Sequence, residues 1–166
     1  MPTSEDTAVQ PVRRRPLRWM MGRWRDQPGG RRLLLTEAVA WLAYARIALV
    51  AVSFRKLAAR FGVVRVAGTP APVKPALTQQ EAVQAREVGW AVTRAAKYVP
   101  FRAVCLPQAI AAKAMLDRRR VASVMHFGVA RHDGAPMDAH AWLDAGDIEV
   151  TGFPIRPDFV EVVCFE

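Results

Sequence analysis

Cys105 opens an apolar periodic segment, and three histidines, His126, His132 and His140, follow it along the chain. A thiol attacks an acyl carbon only as the thiolate, and both the positive end of a helix and a neighbouring imidazole favour that form. The imidazole would take the thiol proton and later return it to the leaving amine, splitting amide cleavage into two acyl-transfer steps. Cys105 stands just before Leu106-Pro107-Gln108, and Pro107 suits a first helical turn, where its missing N–H costs nothing. A cysteine alone is more often an inert buried thiol, so the assignment depends on what accompanies it.

The histidines differ in setting. His132 sits in the polar Arg131-His132-Asp133-Gly134 loop and reads as exposed. His126 lies in a strand pattern and reads as an ordinary core residue. His140 lies in Asp138-Ala139-His140-Ala141-Trp142, where alternation puts Asp138, His140, Trp142 and Asp144 on one face. A helix and a strand fill the interval from Cys105, and that connection can carry His140 back across the helix start.

Asp138 is the acid two residues from His140 on the same face, although a solvated strand residue is the plainer reading of it. Asp147 belongs to a turn, too distant to serve. With Gly146-Asp147 as a two-residue turn, Thr151 falls across from Trp142, diagonal to His140 and on its face. It could hold a hydrogen bond but not balance an imidazolium charge, which leaves either Asp138 or a Cys-His dyad with a neutral orienting group. An oxyanion needs donors. The backbone N–H of Cys105 is one, whereas Gln108 stands where a capping-box partner would and reads as a cap. Trp142 either lines a substrate groove or packs, and packing is the simpler reading.

The elements that position these residues follow from periodicity. Residues 1–30 read as an arm ending at Pro28-Gly29-Gly30. Residues 32–61 read as one long helix closed by Gly62, with Leu34, Ala38, Trp41, Ala45, Leu49 and Val52 as its apolar stripe. Residues 66–77 carry Pro70, Pro72 and Pro75 and read as an extended linker to a catalytic core, 78–166. Thr78-Gln79-Gln80-Glu81 is a capping box that opens a helix running to about Tyr98-Val99-Pro100. The Cys105 helix ends at Arg118-Arg119-Arg120, where cations meet the negative helix end. The period then falls to two, giving strands over 121–131, 138–145, 148–152 and 159–165. Helices followed by antiparallel strands define the α+β class.

The 166 residues, 52% of them hydrophobic, suffice for one domain with a core. The net charge is +9, and residues 1–32 supply much of it, with eight Arg against three acids. Such an arm suits an acidic partner, an anionic membrane surface or RNA, while a solvated tail is the plainer reading. Peripheral membrane contact stays open and nucleic acid is not expected. The two cysteines, Cys105 and Cys164, form neither a CxxC pair nor a zinc spacing, so no metal and no disulfide is expected. The polar start lacks the apolar core of a secretion signal, which suggests a cytoplasmic protein. Leu33–Phe54 approaches membrane-spanning length, but Glu37 and Arg46 interrupt it, favouring a soluble or surface-lying helix.

Three blocks carry a family likeness. Val99-Pro100-Phe101-Arg102-Ala103-Val104-Cys105-Leu106-Pro107-Gln108-Ala109 resembles the cysteine motif of lasso-peptide leader peptidases, which are transglutaminase-like cysteine proteases. Phe127-Gly128-Val129-Ala130 and Ala139-His140-Ala141-Trp142-Leu143 resemble the two motifs that follow it, and Phe54-Arg55-Lys56-Leu57-Ala58 is similar too. The resemblance runs from about Arg31 to the C-terminus. It implies a transglutaminase/papain-like fold in which N-terminal helices pack on a small antiparallel sheet. The activity implied is removal of the leader from a ribosomally made precursor before a cyclase closes the lasso, with Cys105 as nucleophile and His140 as base. Residues 1–30 are too polar and irregular for a recognition domain, so a separate leader-binding protein is implied. No phosphate loop is present, and no cofactor is expected. The family pattern can place an acid about a dozen residues past the histidine, where this chain has Val150-Thr151-Gly152. Two alternatives remain at this stage: a transglutaminase-like acyltransferase, and a non-catalytic module that docks a peptide or a membrane.

Overall fold

The computed structural model describes residues 29–51, 64–66, 76–131 and 137–165. Among these are α1 (Gly29–Ala51), β1 (Val64–Val66), α2 (Gln79–Ala96), α3 (Cys105–Asp117), β2 (Val124–Ala130), β3 (Asp138–Ala145), β4 (Ile148–Thr151) and β5 (Val160–Phe165). The strands form one sheet in the order β1-β5-β2-β3-β4, antiparallel throughout. The α+β architecture expected from the sequence is the one observed.

Alternation sorts the sheet into two faces. Met125, Ala141, Leu143, Ala145 and Phe165 turn toward the helices and join one buried cluster with Leu42, Val88, Val92, Ile110, Met115 and Leu116. His126, His140, Trp142, Asp144 and Cys164 hold the alternate positions, on the opposite face.

α2 begins as the capping box requires. Thr78 Oγ1 accepts from the Glu81 N–H at 3.3 Å, and the Thr78 N–H donates to the Glu81 carboxylate at 2.8 Å. α1 begins earlier than expected and takes in Gly29 and Gly30, which sit in the first turn, where few intrahelical bonds are at stake. Its buried stripe is Leu35, Ala38, Leu42, Ala45 and Ala48, so Leu35 and Leu42 carry the packing in place of the partly buried Leu34, Trp41 and Leu49.

Glu37, one of the charges interrupting α1, has a structural purpose. It takes a bidentate pair from Arg119, at 3.1 and 2.6 Å, while Arg119 also donates to the Met115 carbonyl at 2.8 Å. The arginine cluster thus both meets the C-terminal carbonyls of α3 and ties α3 to α1. These contacts hold the Glu37 carboxyl below its usual range, the Arg119 hydrogen bond being the main cause. The other side of α1 leaves Leu33, Tyr44, Ile47 and Val50 exposed. The helix is long and apolar enough to cross a membrane by length and composition, with 28% of its most apolar window buried.

Two expectations are corrected. The linker was expected to begin at residue 66, yet Val66 is in β1, paired with Val163 of β5, while residues 67–75 lie outside the described residues. The β3–β4 hairpin also slips: Ala145 pairs with Ile148 and Asp144 with Glu149, then a bulge brings Thr151 opposite Leu143 and not Trp142. The helix end at Gly62 and most of the arm lie outside the described residues.

Candidate active site

Cys105 is the first residue of α3 and a half-buried free thiol. Val104 precedes it in extended conformation, and among the described residues no side chain caps this end of the helix. The first amides of α3 are therefore left to whatever lies before them, which is the arrangement that binds anions at helix starts. Gln108 is not the cap expected of it. Its Nε2 donates to the Ala103 carbonyl at 2.7 Å and so fastens the chain entering Cys105 onto the helix.

α3 packs on β3 and β2. It rises ~20 Å, and after a short connection β2 returns over ~23 Å. The start of α3 thus lies at the same end of the layers as the end of β2 and the start of β3. His140, which pairs across from Gly128, stands at this level but at a strand position on the face away from the helices, and among the described residues no hydrogen bond joins its ring to Cys105.

Backbone and aromatic rings hold the half-buried His140. Its Nε2 lies 2.6 Å from the Gly152 carbonyl oxygen. A carbonyl only accepts, so Nε2 carries the proton, and in the neutral ring Nδ1 holds the basic lone pair. Trp142 stacks on one side, with centroids 6.0 Å apart, and Phe159 tilts against the ring at 5.3 Å.

Two glycines make this possible. A Cβ at Gly128 would stand 2.9 Å from the Trp142 ring, so only glycine lets that ring lie across β2. Gly152 has φ of +85°, and a Cβ there would meet the Ala141 carbonyl oxygen at 2.5 Å. The glycine of the Phe127-Gly128-Val129 block and the tryptophan of the His140-Ala141-Trp142 block are thus two halves of one contact.

The other residues considered from the sequence fall elsewhere. Asp138 is exposed and pairs with Arg156 at 3.2 Å. Arg156 in turn pairs with Asp158 at 3.0 Å and lies over the Phe159 ring at 4.8 Å. Asp138 therefore fastens the segment that supplies Phe159. Thr151 is buried opposite Leu143, on the helix side of the sheet, because of the hairpin bulge. Trp142 is buried and packs, as the simpler reading had it. The position that lacks an acid is served by the Gly152 backbone, one residue beyond Thr151. A carbonyl has no side-chain signature, and the only sequence signal was a glycine just after a strand.

On the far side of Trp142, His126 is buried and stacked at 5.3 Å with the rings 4° from parallel. Its Nδ1 lies 2.8 Å from Glu161 Oε2 and its Nε2 3.4 Å from Asp144 Oδ1. Burial opposes charge on this ring, but Asp144 first and Glu161 second outweigh it, raising the pKa above the ordinary value.

An α+β domain with a cysteine at a helix start and a histidine on the adjoining antiparallel sheet has the outline of a cysteine-type acyl-transfer enzyme. A family model described as the transglutaminase-like superfamily matches residues 48–164. The chain belongs to the transglutaminase-like superfamily, which includes cysteine proteases and acyltransferases. No curated protein and no solved structure matches the chain.

Proposed function

We propose that the protein is a cysteine endopeptidase that removes the leader from a ribosomally made lasso-peptide precursor, with Cys105 as nucleophile and His140 as base. The observation that carries the catalytic part is the His140 Nε2–Gly152 carbonyl bond, which leaves the basic lone pair on Nδ1. Superfamily membership supports a cysteine-type enzyme. The lasso-peptide part is supported by the likeness of the Cys105, Gly128 and His140 blocks to leader peptidases.

In this mechanism His140 Nδ1 takes the Cys105 thiol proton as Sγ attacks the scissile carbonyl. The oxyanion is met by the Cys105 N–H at the uncapped helix start. Collapse passes the Nδ1 proton to the leaving amine and gives a thioester. A water, deprotonated by the same nitrogen, then releases the leader as a free acid. The Gly152 carbonyl orients the imidazole throughout but cannot neutralise it, so the site works as a dyad with a neutral orienting group.

A separate leader-recognition protein delivers the precursor in this reading, a lasso cyclase consumes the product, and the exposed face of α1 contacts the precursor or the recognition protein. A cytoplasmic setting accords with Cys105 and Cys164 not being joined in a disulfide. The test is mass spectrometry of a cognate precursor incubated with the protein and a leader-binding partner. A free leader acid and a free core are expected with the wild type, and neither with Cys105→Ala. An amine adduct in place of the acid would assign the protein to acyl transfer. Undiminished cleavage by Cys105→Ala would remove the catalytic assignment.

A further inference from the structure

We propose that His126, Glu161 and Cys164 form a binding site for one divalent transition-metal ion of the zinc class, on the sheet face opposite the helices. One donor atom from each residue lies within 4.8 Å of the other two. His126 and Cys164 face each other across β2 and β5, and both are nearly inaccessible, at 6% and 2% exposure.

Glu161 reaches the same face through a bulge. Phe127 pairs with Val163 but Gly128 pairs with Glu161, so Val162 is an extra residue in β5. Strict alternation from Cys164 would have placed Val162 and Val160 there, and two valines cannot ligate. Bulges that re-aim a side chain are a recurring feature beside functional sites.

The donor chemistry is selective. Thiolate, imidazole and carboxylate together suit zinc or cobalt, whereas magnesium and calcium take oxygen donors. Tetrahedral zinc places its donors about 3.5 Å apart, so the His126–Glu161 pair at 2.8 Å would open slightly and separations toward the 4.8 Å limit would close. The nitrogen facing Glu161 is Nδ1, and Asp144 stands 3.4 Å from Nε2. A carboxylate on the second nitrogen is the usual companion of a metal-bound histidine. Glu161 is half-buried, so a water can complete the coordination from the solvent side. Binding releases the Cys164 thiol proton, and any proton on Nδ1, to solvent. The ion would pin β5 to β2 and steady the His126 ring on which Trp142 stacks. This site is independent of the peptidase reading.

The test uses the full chain carrying Cys105→Ser, which removes the other histidine-associated thiol from competition. After chelator treatment the protein is titrated with cobalt(II), then with zinc(II). One equivalent should bind, with a thiolate-to-cobalt charge-transfer band that zinc displaces and a rise in melting temperature. Adding Cys164→Ser should abolish the band. Adding Glu161→Gln, a half-exposed position whose variant should fold by circular dichroism, should weaken cobalt binding at least tenfold. A folded parent with no band, or a Glu161→Gln variant with the parent's affinity, would overturn the proposal.

Discussion

His126 and His140 lie on one face of the sheet with the Trp142 ring between them, yet their surroundings differ in kind. His126 is buried between the carboxylates of Asp144 and Glu161, and its charged form is favoured. His140 is only half-buried, faces aromatic rings, and meets a neutral carbonyl, with no carboxylate against it among the described residues. One arrangement suits a ring that keeps its proton or exchanges it for another cation. The other suits a ring that takes a proton briefly and gives it back. The neighbours therefore distinguish the roles proposed for the two histidines, and the shared strand pairing does not.

Exchanging activity for stability breaks this comparison most severely. His140→Ala should reduce precursor cleavage by about 10³-fold, or ~4 kcal/mol of activation free energy, with little change in melting temperature. His126→Ala should do the reverse. It leaves Asp144 buried without its imidazole partner and should cost about 3 kcal/mol of stability in denaturant titration of metal-free protein. If His126→Ala proved the more damaging to cleavage in protein that remained folded, the roles would have to be exchanged.

Gly128→Ala strikes what the two histidines share. Its Cβ would press on the Trp142 ring 2.9 Å away, so the ring must shift away from both imidazoles. We expect about 2 kcal/mol of lost stability, with cleavage also reduced. Cleavage and stability both at wild-type levels would show that Trp142 does not couple the two sites.

The smallest effect concerns an ion pair far from either ring. Glu37→Gln should cost about 1 kcal/mol, a value held down by solvent screening of the pair. The Glu37 carboxyl is lowered in the folded protein, so its contribution is present above the ordinary carboxylate range and is lost as pH falls through the lowered value. The wild type and Glu37→Gln should therefore differ at pH 7 in chemical denaturation and converge at strongly acid pH. A difference that persists unchanged in acid would mean the pair contributes through packing alone.

What the sequence disclosed follows the same physical divide. The Thr78 capping box, the Pro107 helix start and the β3 alternation depend on neighbours in the chain, and all three were legible. The class and the superfamily could be reached from them and from the motif blocks. The features that shape the two histidine sites depend on chain crossings. The extra residue at Val162 turns Glu161 toward His126, and the bulge before Thr151 turns that residue away from His140. Neither bulge leaves a local signature, and the orienting group of His140 is a peptide carbonyl common to every residue. β1 went unseen because three residues beside a proline-rich stretch become a strand only through pairing with β5.

The most direct measurement of the central claim needs no substrate. The rate at which a small alkylating reagent modifies Cys105 at neutral pH reports how readily the thiol loses its proton, while the buried Cys164 stays protected in folded protein. If His140 Nδ1 takes that proton, Cys105 should react at least tenfold faster in the wild type than in folded His140→Ala. Equal rates in the two proteins would contradict the pairing of Cys105 with His140.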